Sequence, residues 1–375
     1  MEFVKRAREL ELDGRSIIHM SIGEPDFSAP AAVLDALKEA TAEGATGYTE
    51  AVGIEPLRNA ISAYYREDFG VEVAPSRIIV TAGASAALLL ACCALINSGD
   101  RVLLADPTYP CNRNFIRAFD GVPDSVAVGP ETRFQLSASL VEQRWNAAVR
   151  GVLLASPSNP TGTSIPFDEL CRIIEVVRRN RGFTIVDEIY LGLQYDGAAR
   201  SALEVGEDVI VTSSFSKFFA MTGWRLGWIV VPPEWVPAFE KLAQNLYICA
   251  STLAQRAALA CFTPASMAVF RARRAEFKER RDYIVPALQE LGFHVPVPPD
   301  GAFYVYADCS RWSADSTNFA NELLDGAGVA IVPGMDFGAN EPGRYLRVSY
   351  ATDLAGLKEA VSRMRSWLSR QPSNA

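Results

Sequence analysis

Between about residue 75 and residue 230, short β-branched runs alternate with longer segments whose apolar residues recur at helical spacing. This is the pattern of a mostly parallel sheet flanked by helices on both faces. The clearest strands are 77–81, 101–105, 151–155, 183–187, 208–212 and 226–231. The stretch 82–96 is nearly free of charge and rich in Ala and Leu. It reads as a buried helix, being shorter than the roughly 20 residues a membrane span needs. Polar residues gather at the C-terminal ends of five strands: Thr81-Ala-Gly-Ala-Ser, Ala105-Asp-Pro-Thr-Tyr-Pro, Ala155-Ser-Pro-Ser-Asn-Pro-Thr-Gly, Val186-Asp-Glu-Ile-Tyr and Thr212-Ser-Ser-Phe-Ser-Lys. An open α/β sheet binds its ligand at that edge, so five polar loops converging there argue for a site.

Beyond about residue 265 the pattern changes to a long charged amphipathic helix, 266–292, then Pro-rich sequence and strands at 302–307, 329–332 and 345–349. The division expected is an N-terminal segment, 1–30, joining a smaller domain and the cleft; a large three-layer α/β domain, 31–265; and a small α+β domain, 266–375. No internal repeat or low-complexity linker interrupts it.

Composition narrows the chemistry. A chain of 375 residues with 49% apolar and 21% charged residues is globular, which excludes disorder and fibrous repeats. A net charge of −8, with basic clusters no longer than Arg271/Arg273/Arg274 and Arg280/Arg281, argues against a nucleic-acid surface. Two histidines far apart and seven cysteines without a Cys-x-x-Cys make a metal site or redox pair unexpected. The odd cysteine count and the lack of a secretory leader point to reduced thiols and a cytoplasmic protein. Difficult chemistry must come from elsewhere.

Gly83-Ala84-Ser85 lies between a strand and a helix, where backbone N–H groups and the positive helix end can face an anion. By itself any tight strand-to-helix turn favours such small residues. Ser214-x-Ser216-Lys217, followed eight residues on by Arg225, adds hydroxyls and a guanidinium suited to a phosphate. Lys217, between Ser216 and Phe218-Phe219, is either a snorkelling lysine at a strand end or an amine held neutral by an apolar setting and ready for Schiff-base chemistry.

The run Ser214-Phe-Ser-Lys-Phe-Phe-Ala-Met-Thr-Gly-Trp-Arg-Leu-Gly-Trp resembles the cofactor-lysine signature of fold-type I, class I/II aminotransferases dependent on pyridoxal 5′-phosphate. Matching motifs cover nearly the whole chain: Ile22-Gly-Glu-Pro-Asp-Phe, Gly47-Tyr48 with Gly53 and Leu57-Arg58, Ser156-Pro-Ser-Asn-Pro-Thr-Gly162, Asp187-Glu-Ile-Tyr190, Gly301-Ala-Phe-Tyr304, Pro333-Gly334 with Phe337-Gly338, and Leu346-Arg-Val-Ser349. Each is a common string; the ordered set is specific.

The resemblance implies that Lys217 forms the internal aldimine and moves the substrate proton, while Asp187 keeps the pyridine nitrogen protonated. It implies that Asn159 and Tyr190 hydrogen-bond the phenolic oxygen and that Tyr109 stacks on the ring. The phosphate would fall to Gly83, Ala84, Ser85, Ser214, Ser216 and Arg225, and to Tyr48 from the partner of a homodimer with shared sites. Arg347 would fork onto the substrate α-carboxylate beside Gly23. Glu24, Glu188 and His19 receive no role, and the cysteines near the loops read as core fillers. Compared with the family the chain starts late at Met1-Glu-Phe-Val-Lys-Arg-Ala, so a shortened N-terminal arm over the cleft is expected.

The activity implied is a ping-pong exchange of the amino group of an L-amino acid with a 2-oxo acid. Alternatives are a β-lyase or an aminocyclopropane-carboxylate-type synthase of the same fold, or a cofactor-binding sensor without catalysis. A dicarboxylate donor would need a second arginine, for which Arg113 and Arg256 are the candidates, and a neutral, apolar or aromatic donor is expected instead.

Overall fold

The computed structural model describes residues 2–371, and their side chains from residue 5 onward. Met1 lies outside the described residues. The chain opens with a helix, Glu2–Leu12, whose Ala7 and Leu10 pack with Ile17, Leu324 and Ala330. The first strand, β1 (Ile18–His19), follows.

The central sheet holds β2 (Ile78–Thr81), β3 (Arg101–Asp106), β4 (Val122–Ala127), β5 (Val149–Ala155), β6 (Phe183–Asp187), β7 (Ile210–Ser214) and β8 (Gly227–Val230) in the order β2-β8-β7-β6-β5-β3-β4. All pairings are parallel except those of β8, which runs antiparallel to both β2 and β7. Strand alternation divides the core in two. Ile79, Ile185, Ile210 and Ile229 face one side, with the helices Ala84–Leu95 and Val236–Tyr247. Ile78, Val80, Val186, Val211 and Val230 face the other. Strands apolar on both faces are what a sheet covered by helices on both sides requires.

Three departures from the sequence reading have local causes. β4 escapes notice because Val122-Pro-Asp-Ser-Val-Ala carries a proline; it is an edge strand, where a missing N–H is tolerated. β7 begins two residues later than expected, since Asp208 is held by Arg178 outside the sheet. The apolar run 329–332 is two strands: β10 (Val329–Ala330) pairs with β1, whereas β11 (Val332–Pro333) joins β12 (Tyr345–Ser349) and β9 (Tyr304–Asp308) in the order β11-β12-β9. The β1–β10 pair ties the N-terminal segment to the C-terminal part. The long helix Pro264–Glu290 precedes that sheet.

Candidate active site

The C-terminal ends of β2, β3, β5, β6 and β7 converge on a cavity of about 350 Å³ that β12 also reaches through Arg347. The turn after β2 begins the wall. Gly83 adopts φ +85° at the cap of helix Ala84–Leu95, and a Cβ there would stand 2.6 Å from Arg225 Nη2. Glycine thus supplies the left-handed turn and lets the guanidinium lie against it. Arg225 is itself left-handed, with Nη1 donating to Thr222 O at 2.8 Å. Ala84, Ser85, Ser216 and Arg225 line the cavity, giving a helix N-terminus, a hydroxyl and a guanidinium on one side. Ser214 does not line it: its hydroxyl lies behind, bonded with Ser216 Oγ at 2.8 Å and Leu226 O at 3.0 Å, and it accepts from Ser216 N. It supports the loop rather than facing a ligand, as does Gly83.

Lys217 is partly buried there, with Nζ donating to Gly23 O at 2.5 Å. Burial pulls its amine down to about 8; Glu24 opposes this, while Arg347 and Arg225 add to it. Phe218 and Phe219 hold the lysine from behind in an aromatic cluster with Tyr64, Phe215, Phe262, Phe270 and Trp228, several pairs of which meet edge to face. At the end of β6, Asp187 Oδ1 accepts from Ile189 N at 3.2 Å and Thr212 Oγ1 at 3.3 Å. Burial raises this carboxyl to about 6, against those bonds and the charge of Lys217. A dry carboxylate of this kind is relieved by a cation beside it.

Arg347 completes the site. Nη1 donates to Asn159 Oδ1 at 2.9 Å and Nη2 to Ser21 O at 2.6 Å, while its buried Nε has no protein partner among the described residues. Its guanidinium lies against the rings of Tyr304 and Phe337. Tyr109, Asn159 and Tyr190 also line the cavity, and Tyr190 Oη stands 2.8 Å from Tyr304 Oη. Tyr48 is 82% exposed and lies outside this cavity.

A family model, aminotransferase class I and II, matches residues 15–364. The chain belongs to this family. It is an aminotransferase of fold type I, and class I/II enzymes depend on pyridoxal phosphate. It is 39% identical over 367 residues to a valine–pyruvate aminotransferase of Mycobacterium tuberculosis, covering 97% of this chain and 94% of that protein. It is 35% identical to the (5-formylfuran-3-yl)methyl phosphate transaminase of Methanocaldococcus jannaschii, covering 99% and 96%. Among solved structures, an aminotransferase from M. tuberculosis superposes with TM-score 0.96 at 39% identity, covering 99% of this chain and 96% of the other. The aspartate aminotransferase of Thermus thermophilus with maleate gives 0.92 at 33%, covering 97% and 95%.

The donor set fits the family's cofactor: an anion cradle at Ala84, Ser85, Ser216 and Arg225, a buried carboxylate at Asp187 and a depressed amine at Lys217 share one cavity. Sequence reasoning missed Leu88, Pro157 and Ile189 as lining, since ordinary apolar residues carry no signal until the fold aims them. Tyr304 is visible in the sequence only as part of a motif, with no role of its own. Glu188 bonds locally, accepting from Ser201 Oγ and Ala202 N, and His19 pairs with Glu11. The seven cysteines are free thiols, and Cys92 is fully buried. No helix among the described residues is long and apolar enough to cross a membrane.

Proposed function

We propose that this aminotransferase works with pyridoxal 5′-phosphate bound in the 350 Å³ cavity and that Lys217 is its essential base. The observation that carries the reading is the depressed Lys217 amine, near 8, in one cavity with Asp187 and Arg347. When bound, the cofactor supplies a ring that accepts the electron pair released at the substrate Cα. Ala84 and Ser85, through their backbone, and Ser216 and Arg225 would hold its phosphate. Asp187 would stay ionised against the ring nitrogen. Tyr109 would cover one ring face, and Asn159 and Tyr190 would donate to the phenolic oxygen. Arg347 grips the substrate carboxylate, for which its unpartnered Nε is available, and Lys217 Nζ takes and returns the Cα proton.

The donor we infer is a neutral, apolar amino acid, passed to a 2-oxo acid acceptor. The cations lining the cavity are Lys217, Arg225 and Arg347, and each is already committed to the cofactor or the α-carboxylate. Arg113 directs Nη1 to Phe337 O at 2.8 Å, and Arg256 is exposed on helix Thr252–Ala258, so neither lines the cavity. Leu88, Pro157 and Ile189 supply apolar wall instead. The similarity to a valine–pyruvate aminotransferase agrees with this choice. We further infer a cytoplasmic homodimer, with Tyr48 reaching the partner's phosphate site, and a large lobe over 31–265 beside a small one over 266–375 that the first 30 residues join.

Rapid mixing of the holoenzyme with each of the twenty amino acids, without acceptor, tests the reading. Conversion of the cofactor to its amino form is expected to be fastest with branched or other apolar donors. Reaction confined to aspartate and glutamate would reject the donor class, and release of pyruvate and ammonia would reject transfer in favour of elimination. Lys217→Ala should retain cofactor, lose the visible absorbance band and slow the half-reaction by about 10⁴-fold or more.

A further inference from the structure

Tyr304 enters the site with two contacts for which the roles of the other residues give no use. Its ring is fully buried, on the strand that pairs with the one carrying Arg347. Tyr304 Oη lies 2.8 Å from Tyr190 Oη, and the Arg347 guanidinium sits 4.5 Å from the centre of the Tyr304 ring. The backbone of Gly23 passes so closely that a Cβ there would come within 2.8 Å of the same hydroxyl. A side chain at position 23 would displace it.

Two buried phenols sharing one hydrogen bond must divide the roles of donor and acceptor. Burial lifts Tyr190 well above its ordinary value and raises Tyr304 too, with Arg347 pulling both back. Both stay protonated at neutral pH, and the cation against its ring makes the Tyr304 proton the more acidic. A proton given by Tyr304 to Tyr190 Oη leaves the Tyr190 proton free for the cavity. Hydrogen bonds in such a chain strengthen one another.

The geometry points to Tyr304 as a positioning residue: its hydroxyl donates to Tyr190 Oη, turning the Tyr190 proton toward the phenolic oxygen of the cofactor and strengthening that bond. This rests on the proposed use of pyridoxal phosphate at Lys217. Donation to the phenolic oxygen weakens its hold on the proton shared with the Lys217 nitrogen, so that proton leaves at lower pH. Glu24, Arg347, Arg225 and Asp187, the charged groups acting on Lys217, remain in place when the Tyr304 hydroxyl is removed.

The test is a pH titration of the visible absorbance band of the holoenzyme in four proteins: the natural one, Tyr304→Phe, Tyr190→Phe and the double variant. Tyr304→Phe keeps the ring under Arg347. Its midpoint should rise by about half a pH unit, the scale of one ordinary hydrogen bond. Tyr190→Phe should raise the midpoint further, and adding Tyr304→Phe to it should move nothing more, because Tyr304 acts through Tyr190. A midpoint unchanged in Tyr304→Phe while Tyr190→Phe shifts it would overturn the inference, as would an equal shift from Tyr304→Phe in both backgrounds. A natural holoenzyme whose band does not titrate, or a band that survives Lys217→Ala, would overturn the reading beneath it as well.

Discussion

At the scale of single residues, adjacent acids at the end of β6 show how burial, not residue type, sets the work a group can do. Asp187 faces the cavity and is raised to about 6, where it is still mostly ionised at neutral pH and ready for a cationic partner. Glu188 points away and is raised to about 8 by burial, against the bonds from Ala202 N and Ser201 Oγ. It therefore holds a proton in the folded protein at pH values where the unfolded chain, near 4.5, has lost it. The stability this contributes is complete below about pH 4.5 and is lost as pH rises through 8. The apoenzyme should thus melt lower at pH 8.5 than at pH 5.5, and Glu188→Gln should remove most of that difference, on the order of 3 kcal/mol at the alkaline end. Thermal melts at the two pH values measure it; equal slopes in both proteins would refute it. Asp187 leaves a residual slope below about pH 6.

At the scale of elements, the loop after β11 is bound to the end of β3 by backbone-directed bonds. Asp106 accepts from Ala339 N at 3.0 and 3.1 Å, Thr108 N donates to Phe337 O at 3.0 Å, and Arg113 Nη1 donates to the same oxygen at 2.8 Å. Gly338 permits this approach, since a Cβ there would overlap Asp106 Oδ1 at 1.6 Å. Phe337 in that loop lies against the Arg347 guanidinium. Gly338→Ala should cost about 1–3 kcal/mol and raise KM for the amino donor more than it lowers kcat, which steady-state kinetics would separate. The helices and central strands were legible because their apolar periods agree with their local propensities. Where a segment changes partner the pattern gives no warning: 329–332 is one apolar run, yet its halves join different sheets. Phe337-Gly338 was legible as a motif, but its latch to Asp106 spans more than two hundred residues of chain.

At the scale of the whole molecule, Tyr48 at 82% exposure and the exposed Ile22, Leu34, Leu246 and Ile248 are apolar surface on one chain. If sites are shared, mixing inactive Lys217→Ala with cofactor-deficient Tyr48→Ala should regenerate one intact site in each mixed dimer. Random reassortment would then restore about a quarter of natural activity. No recovery, after co-purification through a tag on only one variant has established mixed dimers, would place each site within one chain. By itself the sequence determined the α/β class, the family resemblance and the polar loops at the strand ends, because strand period, turn chemistry and ordered motifs are local properties. Only the tertiary structure decided which groups share a cavity. It put Ser214 behind Ser216, gave Lys217 to Gly23 O, turned Glu188 away from Asp187 and set Tyr304 between Tyr190 and Arg347. Those outcomes depend on burial and on contacts between strands far apart in the chain, and neither is a property of any segment alone.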